Sequence, residues 1–127
     1  MTYPMKKIII ETGALTIGAE LNNSPTALAI YDVLPFSGPA NRWGDEIYFS
    51  VPLHLEQEPD AKEEVEAGDL GFWPAGDAFC IFFGPTPASK NDKPRAYSPV
   101  NIFGRISGDP LVFKTISSGE RVHVKKG

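Results

Sequence analysis

The sequence predicts a mainly β fold, in which seven or eight short strands close into a barrel with one or two helices at its ends. Short runs of alternating apolar and polar residues recur along the chain, which is typical of strands with one buried face. Glycine and proline, with 12 residues of each among 127, separate these runs. Only one segment has clear helical spacing, so helices do not alternate with strands as a parallel sheet requires. Closure into a barrel would pair the strands without leaving exposed edges.

Length, charge and cysteine content limit the class of protein. At 127 residues, the chain is predicted to form one domain over residues 1–127. The net charge of −4 argues against a nucleic-acid-binding protein, which normally carries a basic surface. The single cysteine, Cys80, excludes an internal disulfide and a multi-cysteine metal site. The oligomeric state stays open.

The first fifteen residues, MTYPMKKIIIETGAL, contain an apolar run of only three isoleucines. This run is too short for the core of a signal peptide or for a membrane span. We therefore expect a cytoplasmic protein without a membrane partner.

The chain begins with a predicted hairpin. Residues 5–12 are rich in β-branched side chains, and residues 14–21 alternate between apolar and polar positions. Gly13 lies between them, where a tight turn is needed. Two antiparallel strands are therefore expected at the start of the chain.

One helix is predicted after this hairpin. Ser24 can accept a hydrogen bond from a free amide of the first turn, and Pro25 at the first helical position has no amide to lose. Pro35 disfavours a helical conformation at Leu34, so the helix should end near there. Its apolar stripe has the spacing i, i+3, i+4, i+7 and consists of Ala27, Ile30, Tyr31 and Leu34.

A strand and an acidic segment follow. Residues 45–51 alternate as a strand does, after a turn at residues 37–39. Residues 56–66, EQEPDAKEEVE, carry six acids and one lysine. A solvated loop or sheet edge is the first interpretation of this segment, and a cation site or a surface for a basic partner is the second.

The stretch GDLGFWPAGDAFCIFFGPTP predicts two strands of a central hairpin. Residues 70–73 and 78–83 read as strands, and Pro74–Asp77 form the turn between them. The second strand, AFCIFF, has no polar residue, so both of its faces should be covered. Pro85 and Pro87 lack an amide donor, so this strand must stop before them.

The last third of the chain predicts two more strands and a short helix. Residues 88–98 should form a polar loop, and residues 99–106 and 120–124 should form strands. Asp109 is expected to cap a short helix over residues 111–116. We also expect one common core that contains Ile17, Ile47, Phe49, Phe82 and Ile102.

Three motifs resemble the small prokaryotic cyclophilin-like proteins. They are NRWGDEIYFSVP, GDLGFWPAGDAFCIFFGPTP and PVNIFGRISGD, and the similarity extends from the first hairpin to the last strand. The resemblance implies a closed eight-stranded cyclophilin-like β-barrel capped by one or two helices. It implies no settled biochemical role, since none is established for that family.

The isomerase site of true cyclophilins does not carry over. Their catalytic arginine follows a Phe-His pair, whereas the matching strand here, DEIYFS, offers Glu46 and Tyr48. The position of their substrate-facing glutamine is occupied by Phe79. Their active-site tryptophan and histidine have no counterpart in SKNDKPRAYSPV. The resemblance therefore implies the fold without the isomerase activity.

Five residues form the candidate groove on the barrel wall: Trp43, Glu46, Tyr48, Trp73 and Arg105. Aromatic walls with one carboxylate suit an apolar or cationic ligand. The competing interpretation is that both tryptophans only pack the core or the rim. For Arg105, the alternative to a ligand is an ion pair with Glu46 or Asp69.

The other reactive side chains give weaker signals. His54 and His123 each lie between apolar residues and should point outward, and two isolated histidines do not predict a metal site. Cys80 has no nearby base in the sequence, so we expect a buried, inert thiol. We expect no cofactor.

These patterns favour a binding module for a small molecule or an extended peptide. The alternative is an enzyme, either a weak prolyl isomerase or a lyase or hydrolase that uses Glu46 and Arg105. An apolar groove would favour binding, whereas Glu46 facing Arg105 across a cleft would favour catalysis.

Overall fold

The computed structural model describes residues 6–127, which form ten strands, one α-helix and one 3-10 helix. The α-helix is α1 (Pro25–Asp32), and the 3-10 helix is Pro110–Thr115. The strands are β1 (Lys7–Thr12), β2 (Leu15–Leu21), β3 (Phe36–Pro39), β4 (Asn41–Arg42), β5 (Glu46–Ser50), β6 (Lys62–Glu64), β7 (Asp69–Trp73), β8 (Ala78–Phe82), β9 (Arg95–Ile106) and β10 (Arg121–Lys126).

The strands form one open antiparallel sheet, so the predicted closed eight-stranded barrel is wrong. The sheet has ten strands in the order β3-β10-β1-β2-β9-β7-β8-β5-β4, and β6 pairs with β9 beside this path. β3 and β4 are the two ends, and no hydrogen-bonded ladder joins them among the described residues.

The shortness of the two end strands explains why the sheet stays open. β3 contains Pro39, which has no amide to donate to a ladder, and β4 has only two residues. Side chains fill the space between these ends. The rings of Phe36 and Phe49 lie 6.1 Å apart, and a Cβ atom at Gly38 would lie 3.0 Å from the Phe49 ring.

The first predicted hairpin is confirmed. β1 and β2 pair from Lys7↔Glu20 to Thr12↔Leu15, and Gly13 in the turn has a φ of +56°, which glycine adopts readily. Met5, the first residue of the predicted strand 5–12, lies outside the described residues.

The predicted helix is also confirmed, although it is shorter than expected. The Ser24 hydroxyl accepts a hydrogen bond from the amide of Ala27 at 3.1 Å, and Pro25 is the first helical residue. The helix ends at Asp32, two residues before Leu34. In the described part of the chain, no helix has the length and apolar character needed to cross a membrane.

The last third of the chain differs from the prediction in three places. β9 begins at Arg95, so the end of the predicted polar loop 88–98 is part of a strand. The short helix after Asp109 is a 3-10 helix, in which the Asp109 side chain accepts from the amide of Leu111 at 3.0 Å. The last strand, β10, extends beyond residue 124 to Lys126.

The expected common core is wrong, because the buried apolar residues form two clusters. Ile47 and Phe49 belong to the larger cluster, whereas Phe82 belongs to a smaller one with Cys80 and Val100. The two clusters lie on opposite faces of β8, and we call the face with the smaller cluster the outer face. Ile17 and Ile102, also expected in the core, are only half-buried.

The alternation along β8 explains the two clusters. Phe79 and Ile81 join the larger cluster, whereas Ala78, Cys80 and Phe82 join the smaller one. Every residue of β8 is buried. The prediction that both faces of AFCIFF are covered is therefore confirmed.

Candidate functional site

A cleft of about 150 Å³ opens on the outer face of the sheet. Half-buried and exposed aromatic side chains form its walls, and buried residues form its floor. We call it the aromatic cleft. It is lined by Trp43, Glu46, Tyr48, Trp73, Ala96, Tyr97 and Val100. The structure thus brings together four of the five residues predicted for the groove.

A tight turn between β4 and β5 places Trp43 beside Glu46. The amide of Trp43 donates to the carbonyl of Glu46 at 2.9 Å, and the reverse bond measures 3.2 Å. Gly44, the first residue within the turn, has a φ of +60°, as a type II′ hairpin requires. A Cβ atom there would lie 2.8 Å from Cδ of Pro87 and 2.9 Å from Cα of Thr86. The turn therefore needs glycine both for its conformation and for its close packing.

Trp73 is fixed at the end of β7 by two contacts. Its indole Nε1 donates to the hydroxyl of Ser98 at 2.5 Å. Its ring lies against Gly76 in the following turn, so closely that a Cβ atom there would overlap ring carbons Cε3 and Cζ3. The missing side chain at Gly76 thus allows the indole to lie over the turn and form one wall of the cleft.

The four aromatic rings form a continuous series around the cleft. The centroids of Trp43 and Tyr97 are 6.2 Å apart, those of Tyr97 and Trp73 are 6.1 Å apart, and those of Trp73 and Tyr48 are 6.3 Å apart. The angles between successive rings are 70°, 79° and 75°. These are edge-to-face arrangements, in which the edge of one ring meets the face of its neighbour.

Glu46 is a buried carboxyl group at the floor of the cleft. The residue is only 5% exposed, and its Oε1 atom is buried without a hydrogen-bond partner. Burial raises the pKa of Glu46 from 4.5 to about 7, and contact with the neighbouring thiol of Cys80 acts in the opposite direction. Near neutral pH this carboxyl is therefore distributed between its neutral and charged forms.

Cys80 lies on β8 opposite Tyr48, with its thiol close to the Glu46 carboxyl, and is fully buried. Burial and the adjacent carboxyl raise the pKa of its thiol well above the ordinary value. Its Sγ atom is 3.9 Å from the carbonyl oxygen of Ala78. A thiol that resists ionisation is a poor nucleophile, as the sequence predicted for this residue.

Arg105 is not in the aromatic cleft. Its Nη1 atom donates to Oδ1 of Asp69 at 3.0 Å and its Nη2 atom donates to the carbonyl of Ala67 at 3.1 Å. It borders a second cleft of about 320 Å³, which Glu20 and Asn22 also line. Arg105 therefore forms the predicted ion pair with Asp69 and not the alternative one with Glu46.

The two histidines lie apart from each other and from the cleft lining. His54 Nδ1 is 2.7 Å from Oδ1 of Asp77, and this carboxylate raises the pKa of the imidazole. His123 lies on β10, where it pairs with Glu11 and Ser37 in the neighbouring strands. Within residues 6–127, no group of three or more His, Cys, Asp or Glu side chains is arranged to hold a metal ion.

Two residues at the site, Tyr97 and Arg42, were not among those predicted from the sequence. Tyr97 is 76% exposed, and it was assigned to a polar loop because charged residues precede it. Arg42 supports the turn that carries Trp43 and Glu46. Its guanidinium donates to Oδ1 of Asp45 at 3.0 Å and to the carbonyl of Ile116 at 2.9 Å. No periodic signal distinguishes such an arginine, because its partners combine a residue of its own turn with a carbonyl of a distant segment.

The acidic segment 56–66 secures the strand that carries Tyr97. It contains β6, which pairs with the first half of β9, from Arg95 to Val100. Two ion pairs join it to the basic residues before Tyr97: Arg95 with Glu63 at 2.6 Å and Lys93 with Glu66 at 2.9 Å. Several of its acids therefore have basic partners within the chain.

Comparisons with known proteins agree on the fold. A family model described as cyclophilin-like matches residues 6–125. The solution structure of a hypothetical protein from Archaeoglobus fulgidus is 39% identical, with a TM-score of 0.80, over 97% of this chain and 95% of that one. No curated protein matches the sequence.

Proposed function

The chain belongs to the cyclophilin-like family, and from that premise we propose that it is a binding module whose ligand enters the aromatic cleft. The ligand is a small molecule or a segment of extended peptide. Since the isomerase residues of cyclophilins are absent from this sequence, the family fold supplies the framework and the cleft supplies the specificity.

The observation that carries this proposal is the convergence of four partly exposed aromatic side chains and one buried carboxyl on a single concavity. Aromatic residues that only pack a core are usually covered, whereas Tyr97 is 76% exposed. Concave sites with apolar walls and a few polar groups are typical of ligand binding. An exposed aromatic cluster is also a common feature of interaction sites.

The size of the cleft limits what enters it. An apolar cavity of about 150 Å³ admits a benzene-sized group. A peptide would therefore insert one side chain and lie across the surface with the rest. A small molecule would insert one ring or one branched alkyl group.

Binding is favoured over catalysis by the separation of the two charged candidates. A lyase or hydrolase that used Glu46 and Arg105 would need both groups at one reacting centre. Arg105 is held by Asp69 at the second cleft instead. A weak prolyl isomerase would need a cation facing the peptide bond, and no basic residue is among those that line the aromatic cleft.

The test is a binding screen followed by nuclear magnetic resonance with isotope-labelled protein. Benzene-sized fragments and short extended peptides are added, and the amide shifts of the cleft residues are followed. We expect hits that perturb residues 43–48 and 96–100 and that are lost in Trp73→Ala. Leu111→Ala, which removes an exposed apolar side chain on the 3-10 helix, is the matched control and should leave binding unchanged. Hits that map elsewhere, or that survive Trp73→Ala, would refute the proposal.

A further inference from the structure

We propose that the group bound in the aromatic cleft is a small alkylated ammonium ion. It is carried either by a free small molecule similar to choline or by a methylated lysine side chain. This inference rests on the proposed function, because it names the chemistry of the ligand for the same cleft.

The aromatic walls favour a cation. The four aromatic residues line one cleft, and successive rings are tilted by 70° to 79°, so aromatic surfaces of different orientation border the same space. The face of an aromatic ring carries partial negative charge and attracts a cation within about 6 Å of its centroid. Tryptophan is the strongest of these rings, and the cleft contains two. Several such walls around one space suit a cation that has alkyl groups on all sides.

The carboxyl at the floor of the cleft lacks the counter-charge that such a cation would supply. Glu46 is only 5% exposed, and its Oε1 atom has no hydrogen-bond partner. An unpartnered buried polar atom destabilises the folded state. A positive charge above the carboxyl would compensate for its lost hydration. A neutral apolar ligand of equal size would fill the cleft without this compensation.

The protein's own arginines near the cleft are paired elsewhere. Arg42 contacts Asp45, Arg95 contacts Glu63, and Arg105 contacts Asp69. Glu46 is the only charged or acidic residue among those that line the cleft. The site is therefore open to a cation from outside.

Protonation of Glu46 gives the inference a distinctive signature. A cation favours the charged carboxyl, so its binding expels a proton and tightens as pH rises through about 7. Binding of a neutral ligand does not tighten over this range, because the charged carboxyl offers it no attraction. The other titratable groups that face this region are Cys80 on β8, Tyr48 on β5 and Tyr97 on β9.

A pair of probes of equal shape isolates the charge. Choline and 3,3-dimethylbutan-1-ol differ only in the quaternary nitrogen that replaces a quaternary carbon. Their dissociation constants are measured by chemical-shift titration at pH 8.5 and at pH 5.5. We expect choline to bind about tenfold more tightly than the alcohol at pH 8.5. At pH 5.5 the preference should fall to about threefold, since only the ring faces then attract the cation.

Two variants assign the effect to the cleft. Glu46→Gln should hold the preference for choline at about threefold at both pH values, because its side chain does not ionise. Tyr97→Leu removes one ring face at an exposed position where the fold does not depend on it. It should weaken choline by about threefold and leave the alcohol unchanged. This second variant keeps the test decisive if Glu46→Gln alters the fold.

The outcomes separate this inference from the proposed function. Equal or tighter binding of the alcohol would overturn the cationic ligand while leaving the cleft as a binding site. Failure of both probes to perturb the cleft would also overturn it, and the broader fragment and peptide screen would then decide the proposed function independently. A peptide that contains trimethyllysine distinguishes the two sources. If the trimethyllysine peptide binds more tightly than choline, the ligand is a peptide. If it binds equally or more weakly, the ligand is a free small molecule.

Discussion

Replacement of Glu46 by glutamine should make the protein more stable at alkaline pH and change the pH dependence of its unfolding. The carboxyl is buried, and burial raises its pKa from 4.5 to about 7. A raised pKa means that the folded state binds the proton more tightly than the unfolded state does. The stabilisation is therefore complete below pH 4.5 and is lost as pH rises through about 7.

The magnitude follows from the displacement of the pKa. Each pH unit of displacement corresponds to about 1.4 kcal/mol at 25 °C. The displacement from 4.5 to about 7 therefore lowers the free energy of unfolding by about 3 kcal/mol between pH 4 and pH 9. Glutamine has nearly the shape of the protonated acid and does not ionise, so Glu46→Gln should not show this loss.

The assay is urea-induced unfolding of both proteins at intervals between pH 4 and pH 9. The useful quantity is the difference in unfolding free energy between variant and wild type at each pH, because all other titrating groups cancel in it. We expect this difference to rise by about 3 kcal/mol in favour of the variant, mostly between pH 5 and pH 8. A constant offset from the extra amide donors of glutamine does not affect this slope.

A flat difference would refute the reasoning. If the difference changed by less than about 0.5 kcal/mol across this range, the pKa of Glu46 would be close to its ordinary value. The carboxyl would then be hydrated or paired, and the description of the cleft floor would be wrong. Direct titration of the Glu46 side-chain carboxyl by carbon-13 resonance provides an independent check, with a midpoint expected near pH 7.

Three further predictions concern the packing and the activity. Phe82→Ala should lower the free energy of unfolding by about 3–5 kcal/mol, measured by urea denaturation, because Phe82 is fully buried in the smaller cluster; a loss below about 1 kcal/mol would contradict that placement. Gly76→Ala should displace the Trp73 indole and shift its fluorescence to longer wavelength. Gly18→Ala is the control, because a Cβ atom there meets nothing within 4 Å, and it should leave the spectrum unchanged. Equal spectra for both variants would contradict the close contact between Gly76 and Trp73. A coupled proline-peptide assay should show negligible isomerase activity, since the Phe-His-Arg pattern is absent, and a rate within a few fold of an ordinary cyclophilin would disprove this.

Much of the local structure could be predicted because it depends on neighbouring residues. Ser24 and Pro25 define the helix start by the hydrogen bonds that their own turn needs. Gly13 marks the first hairpin for the same reason. The uniformly apolar β8 indicates cover on both faces, and the two core clusters provide it. The prediction of one common core was wrong. Alternation shows which side chains share a face of a strand, but it does not show what packs over that face.

The open sheet could not be predicted, because its end strands carry no periodic signal. β3 and β4 have four and two residues, too few for alternation to be recognised. Whether such strands pair depends on contacts with distant residues, such as that of Gly38 with Phe49. The residues of β3 and β4 alone do not indicate these contacts.

Four members of the candidate site, Trp43 and Glu46 among them, could be predicted from residue type, because aromatic side chains beside one carboxylate are typical of a binding groove. The placement of the other residues depends on strand pairing. Tyr97 comes from a segment of mostly polar residues, and only the pairing of β9 with β6 and β7 brings it to the cleft. The position of Arg105 depends on the register between β7 and β9, which places it opposite Asp69.

The position of β10 between β1 and β3 has a consequence for synthesis of the protein. β1 leaves the ribosome long before residues 121–126, which form one of its two neighbouring strands. Until those residues are made, the apolar side chains of β1 and β3 border an unpaired sheet edge, and such edges promote aggregation. The sheet is therefore complete only after residues 121–126 have been translated. A stalled or truncated product that lacks residues 121–126 should depend on chaperones or be degraded, even though it contains every residue of the cleft.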